Sequence, residues 1–171
     1  MVKNLLTLNQ LEFGDEDIVF DRFNLTALVR GVLQSMEIMA DQAGAKILLH
    51  TEEDIYAWAD EFKVEQVVKN YVSNACHHVN GDMVIEVKMV QKDGKVRVSV
   101  FNTGTPIPEA DIAHIWDKFY KVDKAHTREY GGNGIGLSIV KAIMDAHNQQ
   151  YGVKNWENGV EFWFTLDGSN S

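Results

Sequence analysis

The fold class this sequence predicts is an α/β two-layer sandwich, with about three helices on one face of a mainly antiparallel sheet. Two observations carry the sheet and one the helices. Met83 to Val90 and Lys95 to Phe101 alternate apolar and polar residues on either side of Asp93-Gly94, a pair suited to a tight hairpin. Tyr151 to Trp156 and Val160 to Leu166 form a second such pair around Glu157-Asn158-Gly159. Three other stretches repeat apolar residues every three or four positions, the period of an amphipathic helix. With 171 residues, 45% of them hydrophobic, and two prolines, the chain is long enough to bury the core of one domain.

In order, Met1 to Gly14 reads as the last turns of a helix, with Leu5, Leu6, Leu8 and Leu11 on an apolar stripe too short to be stable alone. Val19 to Phe23 is a short strand, and Asn24 caps a helix carrying Leu25, Leu28, Val29, Val32, Leu33, Met36 and Met39 that ends near Gly44. Lys46 to Thr51 is the next strand, followed by Tyr56-Ala57-Trp58. Asp60 caps a second helix carrying Phe62, Val64, Val67, Val68, Tyr71, Val72 and Ala75. After the first hairpin come a short helix around Glu109 to Trp116, a charged loop, and a helix that ends near His147. The domain spans residues 19–167, with residues 1–18 as the end of a preceding helix and linker and residues 168–171 as a tail.

The charge balance is 16 basic against 25 acidic residues, a net −9, and no run of Lys and Arg follows a nucleic-acid backbone. Nucleic acid is therefore not an expected partner. The single cysteine, Cys76, leaves no intramolecular disulfide, and no apolar run reaches the roughly 18 residues of a membrane span. No signal peptide begins the sequence, so this segment is expected in the cytoplasm.

Gly131-Gly132-Asn133-Gly134-Ile135-Gly136-Leu137 precedes the amphipathic Ser138 to Met144. A glycine-rich approach to a helix N-terminus offers unpaired N–H groups and the positive end of a dipole to an anion such as phosphate. A Walker A loop would need Lys where Leu137 stands, and a dinucleotide fingerprint counted from Gly132 finds Leu137 in its last glycine slot. A flexible loop capped by a helix accounts for the glycines equally well. In the second helix Asn70, Asn74 and His77 share one face at i, i+4 and i+7. Asn is a mediocre helix former, so the stripe needs either solvent or a ligand, and an amide oxygen suits Mg²⁺ that shares substrate phosphates. Asn102-Thr103-Gly104-Thr105-Pro106-Ile107-Pro108 is either a rigid turn or a strand end whose amide reads a base edge beside a glycine. Cys76, His77 and His78 are all zinc-ligand types, but adjacent helical residues diverge by about 100° and do not converge on one ion. Trp58, Trp116, Trp156 and Trp163 read as core or interface residues, Trp116 being the one expected to face a partner.

Together and in order, these segments resemble the ATP-binding catalytic domain of bacterial two-component sensor histidine kinases. These kinases share the Bergerat-type fold with DNA gyrase, heat-shock protein 90 and the mismatch-repair ATPases. The resemblance covers residues 1–167. Asn70-Tyr71-Val72-Ser73-Asn74-Ala75 looks like the N box, Asn102-Thr103-Gly104 the first glycine box, Ile115 to Tyr120 the F box, and Gly132 to Leu137 the second glycine box.

By position, the resemblance implies that Asn74 ligates the Mg²⁺ bridging the ATP phosphates and that Asn70 assists on phosphate. His77, His78, Asn102, Gly104 and Ile107 would belong to the nucleotide site, as would Phe119 and Tyr120 of the F box, with Phe119 beneath a mobile lid. That lid would run from about Lys121 to Gly132, with Lys118, Lys121 and Arg128 as candidate phosphate cations; for at least one of them a solvated loop is the plainer account. Gly132, Gly134, Ile135, Gly136 and Leu137 would form the phosphate turn. Hydrolytic relatives carry a general-base Glu where this chain has Asn70, which takes no proton at neutral pH, so the resemblance implies a kinase with slow hydrolysis. Positioning and charge stabilisation would carry transfer of the γ-phosphate.

No histidine of the chain lies in the family's phosphoacceptor context. The acceptor would therefore belong to a dimerisation domain outside the chain, with relay to an aspartate on a response regulator. The chain alone is expected to be monomeric and not to autophosphorylate, and the parent to be membrane-anchored. Departures from the pattern are Asn102 for the usual Asp on adenine, Pro106 for a glycine, His77 for Lys, His78 for an aromatic and His126 for a lid Arg. The first predicts weaker adenine binding, and the histidines predict ATP binding that varies between about pH 6 and 8.

Overall fold

The computed structural model describes residues 18–51, 53–118, 120 and 136–169. Its strands are β1 (Asp21–Asn24), β2 (Lys46–His50), β3 (Tyr56–Ala59), β4 (Val84–Lys92), β5 (Lys95–Thr103), β6 (Tyr151–Trp156) and β7 (Gly159–Gly168). Its helices are α1 (Leu25–Ser35), α2 (Glu37–Ala43), α3 (Glu61–His78), α4 (Glu109–Ile112) and α5 (Gly136–Ala146). None of the described helices is long and apolar enough to cross a membrane.

The strands form one seven-stranded sheet in the order β1-β3-β7-β5-β4-β2, with β6 also paired to β7. Along one edge β7 pairs with β5 from Thr103↔Gly159 to Lys95↔Asp167; along the other it carries β6 and then the end of β3. Every pairing is antiparallel except β2 with β4. The predicted two-layer class is the one observed.

Alternation along the strands builds the core. Ile85 and Val87 of β4, Val96, Val98 and Val100 of β5, and Phe162, Phe164 and Leu166 of β7 share the inward face and are buried. Val64, Val67, Val68, Tyr71 and Val72 of α3 and Ile139, Val140, Ile143 and Met144 of α5 cover them. Tyr71, the largest fully buried side chain, donates its hydroxyl to the Trp163 carbonyl at 3.0 Å, so its polar end is satisfied.

Local chemistry explains most boundaries. Asn24 Oδ1 accepts from Ala27 N–H at 3.0 Å and Asp60 Oδ1 from Lys63 N–H at 3.2 Å, the two expected N-caps. Gly44 closes α2 in the left-handed conformation, and Asp93 and Gly94 (φ 54° and 78°) make the first hairpin turn. Three boundaries differ from the sequence reading. The helix read as continuous from Leu25 to Gly44 breaks at Met36, where the Ser35 hydroxyl donates to the Val32 carbonyl at 2.8 Å and competes with the backbone ladder. The first strand starts at Asp21, because the Val19 N–H goes to Asp60 Oδ2 at 3.0 Å and the Phe20 ring lies against Trp58 and His147. The short helix stops at Ile112 and continues as turns.

Candidate nucleotide site

The site is built where α3, the end of β5 and the start of α5 meet. On α3, Val67, Val68, Tyr71, Val72 and Ala75 are buried, whereas Lys69 and His78 are exposed. Asn70, Asn74 and His77 lie between, each half-buried, so the amide stripe runs along the rim of the core and is not a fully solvated face. α5 starts beside this rim. A Cβ added to Gly136 would stand 3.7 Å from Asn70 Oδ1, which puts the first turn of α5 against the Asn70 amide. Ser138, Ile139 and Val140 are buried and Leu137 is half-buried against the core, so this helix end is fixed by packing. The first N–H groups of a helix have no intrahelical acceptor and face outward from its end.

Hydrogen bonds through Thr103 tie the end of β5 to α3. The Asn80 N–H donates to the Thr103 carbonyl at 2.8 Å, and the Val84 N–H donates to Thr103 Oγ1 at 3.0 Å. Gly104 follows with φ 154°, and a Cβ there would come within 2.9 Å of the His78 carbonyl, so the turn needs glycine on both counts. Gly104 N–H also reaches the Asn158 carbonyl at 3.0 Å, joining the turn to the β6–β7 connection. Asn102 is 2% exposed and donates Nδ2 to the Thr103 carbonyl at 3.1 Å. Below it, Gly159 leaves no room for a side chain, since a Cβ would lie 2.1 Å from the Asn102 carbonyl.

Two residues have roles that the sequence reading did not assign. Thr103 is one. The other is Asn155, whose Oδ1 accepts from Ile107 N–H at 2.9 Å while its Nδ2 donates to the Ile107 carbonyl at 2.7 Å. This two-point clamp fixes the backbone of the turn after Gly104. Its trace in the sequence is an amide at an inward position of β6, where Tyr151 and Val153 precede it at two-residue spacing.

Of the remaining expected site residues, Tyr120 donates its hydroxyl to Asp111 Oδ1, which raises its pKa, and its ring lies 5.5 Å from that of His114. Lys118 is exposed. Phe119, Lys121, Arg128, Gly132, Gly134 and Ile135, with the expected lid and His126, fall outside the described residues. Trp116 does not face outward as expected: it packs edge-on against Tyr151 at 4.9 Å and Phe162 at 5.8 Å. Trp58 and Trp156 are the exposed indoles, at 46% and 45%.

Asn70, Asn74 and Asn102, the amides at the rim of α3 and the end of β5, carry no charge. Burial lowers the pKa of His77 below the ordinary histidine value, so its imidazole is neutral at pH 7. Its protonation is thereby displaced towards acid. Burial raises the pKa of Cys76, keeping that enclosed thiol protonated.

A model of the family described as histidine kinase-, DNA gyrase B-, and HSP90-like ATPase matches residues 59–170, which include α3, the β5 turn and α5. Sensor histidine kinase WalK of Bacillus subtilis (strain 168) is 30% identical over 171 residues, and the match takes in 97% of this chain but 28% of the relative. The nucleotide-free catalytic domain of histidine kinase ThkA is 32% identical and superposes with a TM-score of 0.77 over 87% of this chain and 95% of its own. ThkA in complex with response regulator protein TrrA is 31% identical, with a TM-score of 0.78 over 98% of this chain and 48% of that one. Full-length ShkA in complex with AMPPNP is 25% identical, with a TM-score of 0.85 over 99% of this chain and 35% of that one. The fold, the amide rim beside a helix start and the matched residues agree: the chain belongs to the histidine kinase-, DNA gyrase B- and HSP90-like ATPase family and is similar throughout to its sensor histidine kinases.

Proposed function

We propose that the chain is the catalytic domain of a sensor histidine kinase, which binds ATP with Mg²⁺ and delivers the γ-phosphate to a histidine on another domain. The observation that carries the reading is Asn70 against the first turn of α5, an arrangement that offers amide oxygens and outward N–H groups to one phosphate chain. The donor set fits Mg²⁺: Asn74 supplies one hard amide oxygen, and substrate phosphates with water would complete the shell. The ion would neutralise charge shared between phosphates. The Asn102 Nδ2 is engaged with Thr103, so Oδ1 would be the atom to accept from the adenine amino group. The clamped turn from Gly104 to Ile107 would wall the base.

Lacking a carboxylate at Asn70, the site does not activate water. Its contribution is to hold the γ-phosphorus in line with an incoming imidazole nitrogen while the bond to the ADP oxygen breaks. ATP-analogue binding by ShkA and the response-regulator complex of ThkA support the nucleotide and the relay partner. We further assign residues 1–18 to the end of the phosphoacceptor helix and its linker, residues 19–167 to the catalytic domain and residues 168–171 to a tail. The chain alone would be monomeric, and the parent kinase anchored in the membrane.

Calorimetry with AMPPNP and Mg²⁺ tests the reading. Binding should be weakened at least tenfold by Asn74→Ala and should decline when Mg²⁺ is chelated. No binding at millimolar analogue would instead mark a module that keeps the shape without the nucleotide. Steady ATP turnover by the chain alone would favour a hydrolytic motor.

A further inference from the structure

The helix layer stops short of the β2 edge of the sheet. Among the described residues β2 is the last strand in the order and pairs only with β4, and no described strand lies along its other side. Lys46 N–H bonds to the Met83 carbonyl at 3.0 Å, on the β4 side. Because backbone groups alternate along a strand, Leu48 and His50 also turn towards β4, and the N–H and C=O groups of Ile47 and Leu49 point outward from the sheet.

Their side chains share the face of Ile85 and Val87, the β4 residues opposite them. Those two are fully buried, yet Ile47 and Leu49 are only half-buried. The difference is a groove of about 480 Å³ between β2 and the α1–α2 junction, with Leu33, Ala40, Ile47 and Leu49 among its apolar lining. Glu37 and Asp41, one turn apart on α2 and both exposed, stand on its rim. Lys46 and His50 guard the ends of β2, as charged residues commonly guard an edge strand, but the middle carries no such protection.

An edge with two free donors and two free acceptors beside an apolar trough is complementary to one more strand. We propose that this edge is a docking site for an extended peptide segment that pairs with Ile47 and Leu49. Alternate apolar side chains of that segment fill the groove, and a Lys or Arg reaches Glu37 and Asp41. The lining sets the two carboxylates of Glu37 and Asp41 against the single ammonium of Lys46, and on a chain of net charge −9 that balance selects a basic segment over an acidic one. β2 has five residues, so about five residues of the partner pair with it. The site is distant in sequence from the nucleotide motifs and stands whether or not the chain binds ATP.

A random twelve-residue phage-displayed peptide library, panned on the whole chain, supplies the probe. Enriched sequences should alternate apolar residues with at least one Lys or Arg, and the synthetic peptide should shift the amide resonances of Ile47 and Leu49. Its affinity should fall at least tenfold on the Glu37→Lys/Asp41→Lys double variant, whose exposed positions leave folding intact by thermal midpoint. N-methylation of alternate peptide residues, which removes strand pairing but keeps the side chains, should also cost at least tenfold. No enrichment, shifts confined to other strands, or indifference to both the charge reversal and the N-methylation would overturn the proposal.

Discussion

Asn155 holds Ile107 through both ends of its amide, so Asn155→Ala would leave a part-buried N–H and C=O without their partners. We expect a loss of about 1–3 kcal/mol in urea unfolding and weaker AMPPNP binding in calorimetry, as the turn after Gly104 loosens. His147 sets a pH dependence. Its Nε2 accepts the Asp60 N–H at 3.1 Å and its Nδ1 donates to the Ile143 carbonyl at 2.9 Å, a neutral tautomer in a buried position. Desolvation lowers its pKa, outweighing the opposing pulls of the Ile143 carbonyl and Asp60. The unfolded chain therefore takes up a proton before the folded one. Stability is complete above the ordinary histidine value of about 6.5 and declines as pH falls towards the depressed folded value. The thermal midpoint should drop between pH 7 and 5, more steeply than in His147→Gln; equal slopes would assign the effect to His77, whose pKa is lowered in the same direction. The shared face of Asn70 and Asn74 and the helix that follows the glycines were legible because helical spacing and glycine chemistry are local signals. Asn155 was not, because its partner lies 48 residues away, and Trp116 misled because Tyr151 and Phe162 reach it from distant strands.

Glycine governs the junction of α3 and β5. Gly104→Ala would set a side chain 2.9 Å from the His78 carbonyl at a φ that L residues rarely adopt, at a cost of about 1–3 kcal/mol. Amide exchange should quicken at Asn80, whose N–H bonds to the Thr103 carbonyl, while α1 stays protected; unchanged exchange at Asn80 would mean that the junction absorbs the methyl elsewhere. Caps and hairpins were readable because Asn24, Asp60 and Asp93-Gly94 act within three residues of themselves. Gly159 was assigned to the turn, yet it belongs to β7 and is small because Asn102 crowds it, a reason that appears only when β5 and β7 pair. The break at Met36 was hidden because the apolar period runs through it while the Ser35 hydroxyl acts on the backbone.

The two-layer class was legible from the hairpins and amphipathic helices, but the strand order was not. Sequence neighbours suggest a β6–β7 hairpin at one margin, whereas β7 lies between β5 and β3, held at its end by Ala57↔Gly168 and Trp58↔Asp167. Those pairs join residues more than a hundred positions apart and leave no local trace. The position of β7 also bears on how the chain is made. A ribosome releases β5, α3 and α5 before the strand that joins the two halves of the sheet. Until residues 159–168 emerge, Phe101 and Val100 are paired on the β4 side alone, and the turn at Gly104 lacks its contact with the β6–β7 connection. A nascent chain halted after Gln150 should therefore bind no AMPPNP and be cut rapidly by protease, and both properties should change together once β7 is clear of the exit tunnel. The turn at Gly104 would thus be completed only after β7 has joined β5, so the candidate nucleotide site forms late within this domain.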